Sequence, residues 1–401
     1  MSSGLTPTSK AEWHPLREIM VHQPGAEVVY SLLSPKEHLY GGPISLSNHG
    51  TGLFEQHANV LDTYRGEGVK IHMLQNLVLS NPSSRIEAKN IVMKSLHKAY
   101  GRSNLYTQED LSHIESHADK IIDGLPPEFL WQVLATNPEL SSNYKNGHED
   151  ARYSAPKIEL QVAGNLFYMR DQQFTTDRGV VMGGMKFEQR RYEPNITRLA
   201  FEQLGIRPIL EIDGEYSEER PTFEGGDFIP AGDFALIGVG DRTNETGSKV
   251  ALKNGALGFD QVVVIYQPSG QHIMHLDTYF NIIDDGLCTA DRTKLTKKVN
   301  VFDRDEHGYK LSSTTTLEKY LAKKGFSVVG ISPEEQKRYV ANFITLGKRK
   351  IMAPEIKTIL PDSDYQKRLE REGVDVIPLD VSELTQGYGG IHCLTCVLKR
   401  G

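Results

Sequence analysis

A short pattern that recurs five times constrains this chain most. A stretch with helical apolar spacing ends in Gly, and an apolar strand follows at once. The copies are Gly68-Val-Lys-Ile-His-Met-Leu74, Gly205-Ile-Arg-Pro-Ile-Leu210, Gly258-Phe-Asp-Gln-Val-Val-Val264, Gly325-Phe-Ser-Val-Val329 and Gly373-Val-Asp-Val-Ile377. Gly suits the left-handed position after a helix C-terminus. The β-branched residues after it suit a strand. Each copy is an αβ unit, and five copies predict a repeat architecture. Hairpins interleave with the units. Residues 165–185 read as a strand, a turn around Gly179 and the strand Val180 to Met182; residues 223–239 read alike, turning near Ala231-Gly232-Asp233. Repeated ββαβ units closed around an axis predict an α/β propeller with a central mouth.

Residues 83–150 break the pattern. Ile86, Val92, Met93, Leu96 and Ala99 lie at helical spacing. Thr107-Gln-Glu-Asp110 has the form of a helix start, and Leu111, Ile114, Ala118 and Ile121 follow on one face. Leu125-Pro-Pro-Glu128 introduces another short helix with Phe129, Val133 and Leu134. The segment reads as a helical insertion within one catalytic domain spanning 1–401, with the polar stretch 137–151 as its exit.

A net charge of −7, with Lys and Arg scattered, argues against a nucleic-acid partner. No apolar run reaches the ~18 residues of a membrane helix, and the first residues lack a signal-like apolar core. Three cysteines do not make a disulfide framework. A cytoplasmic protein is expected.

Four stretches carry chemistry. Gly387-Tyr-Gly-Gly-Ile-His-Cys-Leu-Thr-Cys396 places a thiol after a glycine-rich loop that lets a small molecule approach closely. Cys393 and Cys396 could also form a redox pair or half a zinc site. However, a redox pair of this kind opens a helix, only five residues follow Cys396, and no second ligand pair exists. Met274-His-Leu-Asp-Thr-Tyr-Phe280 follows an apolar strand, and an extended backbone would put His275 and Asp277 on one face. A carboxylate there orients the imidazole and raises its pKa. Phe223-Glu-Gly-Gly-Asp227 and Asn165-Leu-Phe-Tyr-Met-Arg-Asp171 each put a carboxylate at the end of a predicted strand. Carboxylates hold a planar guanidinium bidentately. The plainer alternative for Asp227 is capping of backbone N–H groups or orientation of the histidine.

Taken in this order, these four stretches resemble the guanidino-group modifying superfamily, and within it the arginine deiminase family. The likeness runs nearly end to end, from Leu16-Arg-Glu-Ile-Met-Val-His-Gln-Pro-Gly25 to the cysteine loop. It implies the five-bladed, pseudo-symmetric ββαβ propeller called the pentein fold, in agreement with the five repeats. It also implies Cys393 as nucleophile, His275 as general acid and base, Asp171 and Glu224 as guanidinium-binding carboxylates, and Asp277 as the acid near the catalytic histidine. Asn165, Arg190 and Arg242 match positions that recognise a substrate α-carboxylate, and Tyr168 and Asp227 join the substrate-binding set. The chain departs from the family pattern at Leu39-Tyr-Gly-Gly-Pro43, at Ala353-Pro-Glu-Ile-Lys-Thr-Ile-Leu-Pro361 and at Tyr388, which stands where some members carry a gating Arg.

The expected reaction is hydrolysis of the guanidinium group of L-arginine to citrulline and ammonia through a covalent thiouronium on Cys393. It needs no metal and no organic cofactor. The expected partner is a small guanidine compound, with neither nucleic acid nor membrane, and the family often forms homo-oligomers. Two alternatives stay open. One is an amidinotransferase, or a hydrolase of another guanidino or ureido compound. The other is a guanidine-binding protein without turnover.

Overall fold

The structure is a computed structural model; it describes residues 5–33, 44–46, 52–100, 106–141, 157–213, 219–253 and 255–401. The loop 39–43 singled out above lies outside them.

Five sheets share one plan: an antiparallel hairpin, a crossover helix, and a third strand parallel to the second. In one sheet the hairpin Gln173–Thr175 and Val180–Met182 is followed by the helix Glu193–Gln203 and the short strand Leu210–Glu211. In the next, Phe228–Ala231 and Phe234–Val239 lead through Glu245–Lys253 to Gln261–Tyr266. The others run Phe280–Asp284, Leu287–Asp291, Leu317–Lys323 and Ser327–Ile331, then Ile344–Gly347, Lys350–Pro354, Tyr365–Arg371 and Asp375–Leu379. The remaining sheet joins distant parts of the chain. Leu16–Val21 lies between Cys396–Arg400, antiparallel, and Lys70–Met73, parallel. The long hairpin Lys298–Asp305 and Gly308–Thr316 extends the Gln261–Tyr266 sheet to five strands.

The five glycines of the sequence repeat all adopt the left-handed conformation, with φ of 74° at Gly68, 70° at Gly205, 86° at Gly258, 82° at Gly325 and 70° at Gly373. A Cβ in that region costs about 1–2 kcal/mol, so each helix turns into its strand at a residue without one.

Residues 83–136 hold the helices Ser83–Tyr100, Gln108–Gly124 and Pro127–Thr136. Thr107 and Asp110 form a reciprocal capping box at the second. The buried face of the first carries Ala88, Ile91, Leu96 and Ala99, whereas Ile86 is 60% exposed. The expected stripe holds at Leu96 and Ala99 and fails at Ile86, whose end of the helix turns Ala88 and Ile91 inward instead. Packing against Trp131, Leu134 and Met169 selects the inward face. Among the described residues no helix is long and apolar enough to cross a membrane.

Candidate active site

Each of these five sheets delivers a residue to one place just before its first antiparallel strand begins. Asp171 precedes Gln173–Thr175, Glu224 precedes Phe228–Ala231, and His275 and Asp277 precede Phe280–Asp284. Asn342 precedes Ile344–Gly347, and Cys393 precedes Cys396–Arg400. All six residues are buried. The local backbone differs from the sequence reading. Asn165 to Asp171 form tight turns rather than a strand. His275 alone is extended, and Leu276–Thr278 winds into a 3-10 turn. The His-x-Asp pair consequently diverges instead of sharing a face.

His275 sits on Glu224, with Nε2 2.9 Å from Oε2, and its Nδ1 lies 3.7 Å from Asp171 Oδ1. Burial opposes its charged form, but Asp171, Glu224 and Asp227 outweigh burial and raise its pKa to about 9. The ring packs over the Glu-Gly-Gly-Asp turn so closely that a Cβ on Gly226 would lie 2.8 Å from Nδ1. Burial raises the Asp227 carboxyl to about 7. Asp227 lies behind this histidine and not on the cavity wall: its Oδ1 accepts the Leu276 N–H at 2.9 Å and the Gln267 amide at 2.7 Å. Its placement is the bracing role rather than the substrate contact expected of it.

Asp277 faces away from His275. Its Oδ2 pairs with His392 Nδ1 at 2.8 Å and lies 3.4 Å from Cys393 Sγ. Burial raises its pKa, but the His392 hydrogen bond and charge bring it below the ordinary value. His392, which the sequence left without a role, reaches back with Nε2 to 3.6 Å from Glu12, and Glu12 holds Arg400 at 2.6 Å.

Glu224 is saturated. Oε1 accepts the Lys186 N–H at 3.0 Å, and Oε2 accepts Arg242 at 3.2 Å besides His275. Arg242 stacks over Phe187, with Cζ 4.3 Å from the ring centre. Arg190 donates to Asp171 at 2.8 Å, to Glu193 at 2.8 Å and to the Asn165 carbonyl at 3.4 Å. Both arginines are buried in ion pairs, not held at the surface. Among the residues that line the cavity or touch Cys393, the carboxylate and amide oxygens without a hydrogen-bond partner include Asp171 Oδ1, Asp277 Oδ1 and Asn165 Oδ1. Tyr168 donates its hydroxyl to the Leu384 carbonyl, which ties the Asn165–Asp171 turns to the chain entering the glycine loop.

Cys393 is 3% exposed. Burial and the charges of Asp277 and Asp171 push its thiol well above the usual range, while a hydrogen bond from Asn342 works the other way. Cys396 packs with Met20 and Leu166 in a different core cluster, and burial pushes its thiol up to about 12. Both are free cysteines. The narrow cavity over Cys393, about 10 Å³, is lined by Asn165, Tyr168, Asp171, Arg190, Arg242, Gln271, Met274, His275, Gly387, Tyr388 and Gly389. Tyr388 adopts the left-handed conformation, φ 68°, with its ring edge-on to His272. A larger groove of about 800 Å³ beside Val328–Ile331 brings no cysteine or histidine to its wall.

Donor atoms of Asp171, Glu224 and His275 lie within 4.8 Å of one another, a metal-like spacing. Arg190 and Arg242 already share those two carboxylates, and the imidazole is itself held cationic. This set is neutralised by fixed cations, so a further metal ion between its atoms would be repelled.

Asn342 escaped the sequence reading. An Asn between hydrophobic residues carries no motif of its own. Its signal was positional: it stands two residues before its hairpin, like Asp171 before Gln173.

A buried thiol ringed by carboxylates and a cationic histidine, on an α/β fold of repeated ββαβ sheets, defines the class of amidine-processing penteins. Solved structures share this fold at low sequence identity. The DDAH of Pseudomonas aeruginosa, complexed with citrulline, covers 95% of this chain and 99% of its own at 16% identity, with TM-score 0.52. SxtG, an amidinotransferase from Microseira wollei, covers 98% and 97% at 12% identity, with TM-score 0.55. Within that class the chain belongs to the arginine deiminase family, whose model, described as "Arginine deiminase", matches residues 51–400. Relatives include the arginine deiminase of Halobacterium salinarum, 26% identical over 97% of this chain and 96% of that protein. That of Oenococcus oeni is 24% identical over 96% and 95%.

Proposed function

We propose that this protein hydrolyses L-arginine to L-citrulline and ammonia, with Cys393 as the covalent nucleophile. The observation that carries the reading is the thiol set between unpartnered buried acceptors, Asp171 Oδ1 and Asp277 Oδ1, with charged His275 alongside. A guanidinium supplies the donors those oxygens lack. The pair that grips it is Asp171 and Asp277. Glu224, already saturated, holds His275 charged.

The substrate cation offsets the carboxylate field at Cys393 and favours the thiolate. The thiolate attacks the guanidinium carbon. His275 gives its proton to the departing nitrogen, and ammonia leaves. The imidazole, now neutral, takes a proton from water, which attacks the same carbon. The C–S bond breaks, its electron pair returns to sulfur, the added hydroxyl gives its remaining proton to solvent to become the ureido carbonyl, and citrulline is released. Asn165, Arg190 and Arg242 line the cavity, and we assign them to the substrate's α-carboxylate.

We infer further that the five sheets close as propeller blades around this cavity, and that residues 83–150, of which 101–105 and 142–150 lie outside the described residues, belong to a helical subdomain inserted in the single domain. The arrival of a site residue just before the first antiparallel strand of each of the five sheets supports the closure.

The test is purified protein with L-arginine, following ammonia and citrulline together, with and without an acceptor amine. Matched products that are unchanged by the amine and lost in Cys393→Ala support the reading. Amidino transfer to the amine moves the chain to the transferases, and binding without product makes it a binding protein.

A further inference from the structure

Asn342 is fully buried and uses every polar atom it has. Its Oδ1 accepts the N–H of Gly390 at 2.9 Å and of Cys393 at 3.1 Å. Its own carbonyl accepts the His392 N–H at 3.1 Å. Its Nδ2 donates to the Asp277 carbonyl at 3.0 Å and to Cys393 Sγ at 3.1 Å. One side chain thus moulds the glycine loop and points a donor at the sulfur. In the fifth sheet it occupies the place that Asp171, Glu224, Asp277 and Cys393 take in the other four.

We propose that Asn342 is a catalytic residue whose carboxamide N–H binds the Cys393 sulfur and stabilises it as an anion. The groups that face this sulfur otherwise oppose or do not favour negative charge locally: the carboxylates of Asp277 and Asp171 repel it, and the Tyr339 phenol lies nearby. Cationic His275 and Arg190 share the cavity, but both are engaged by Glu224, Asp171 and Glu193. Asn342 is a donor in contact with the sulfur before substrate arrives. It is also placed to receive the sulfur again when the C–S bond breaks and the electron pair returns. A hydrogen bond to a charged group is worth about 1.5–3 kcal/mol, which corresponds to about one to two pH units in the thiol. The inference rests on Cys393 being the nucleophile, but its test needs no arginine.

The experiment is the pH profile of Cys393 alkylation by iodoacetamide, read by peptide mass spectrometry, in the intact chain. In Asn342→Ala the apparent thiol pKa should rise by about one to two units. Alkylation near neutral pH should slow about tenfold or more. Asn342→Asp keeps the acceptor for Gly390 and Cys393 but replaces the donor with another acidic group, and should shift the same way. A merely structural asparagine predicts lower melting temperatures with the thiol profile unmoved, and that result overturns the proposal. If neither variant folds, the unaltered chain answers. With asparagine side chains labelled, the Asn342 amide signal should move as Cys393 titrates, and a signal that stays still overturns the proposal.

Discussion

At the residue scale, acid–base chemistry is set by which carboxylate holds which base. His275 carries a pKa of about 9 in the folded chain against about 6.5 when free. Its contribution to stability is complete below pH 6.5 and is lost as pH rises through 9. Glu224→Gln removes the closest partner, so the alkaline fall in melting temperature should move to lower pH, measured by thermal scans across pH. His275→Ala should abolish steady-state citrulline formation. Adding imidazole should restore part of it if the ring acts only as acid and base. The thiol, the histidine and Asp171 were legible because each stands in a stretch with chemical meaning. The partners of Asp277 were not, since a 3-10 turn at Leu276 sends neighbouring side chains apart, and no spacing rule reports that turn.

At the element scale, the helix Leu53–Gly66 connects the outer layer to the glycine loop. Gln56 accepts the N–H groups of Glu383 at 2.9 Å and Leu384 at 3.3 Å, and Leu384 in turn takes the Tyr168 hydroxyl. One residue along, His57 is fully buried, and neither ring nitrogen has a hydrogen-bond partner. Burial, with a smaller contribution from His22, lowers its pKa to about 3. The folded chain therefore prefers it neutral. Stability is intact above pH 6.5, the free value, and falls as pH drops from there towards 3. His57→Leu should flatten that acid branch; an unchanged acid branch would assign the sensitivity to another group. Gln56→Ala should lower kcat/KM more than melting temperature, because its bonds bear on the loop beside Cys393. The glycine-punctuated strands were readable in the sequence because each conformation has its own residue chemistry. The inward face of Ser83–Tyr100 was readable at Leu96 and Ala99 but not at its start, because tertiary packing against Trp131 and Met169 chose among several apolar stripes.

At the scale of the whole molecule, five modules of one plan cooperate. The sheet holding Cys396–Arg400 depends on strands from both ends of the described chain. Arg400 anchors it from within, buried against Glu12 at 2.6 Å and donating to the Thr345 carbonyl at 2.7 Å. Breaking one partner of a buried pair costs about 3–5 kcal/mol, so Arg400→Met should destabilise the protein by that order in denaturant titration. Arg400→Met combined with Glu12→Leu should recover much of the loss. The repeat was visible in the sequence as five glycines, but the pairing of first and last strands was not, because nothing local records a partner so far away.

That pairing also orders events in time. Cys393 lies three residues before a strand whose neighbour, Leu16–Val21, is reached only by closing a loop of nearly the whole chain. Contacts of such long range form late and slowly during folding. Through most of that interval Cys393 is an ordinary exposed thiol, open to oxidants and electrophiles. Once the first and last strands meet, the same sulfur passes into a closed chamber of carboxylates. The protein is thus most vulnerable to chemical damage at this thiol while it is still folding, and best protected when the chamber has closed.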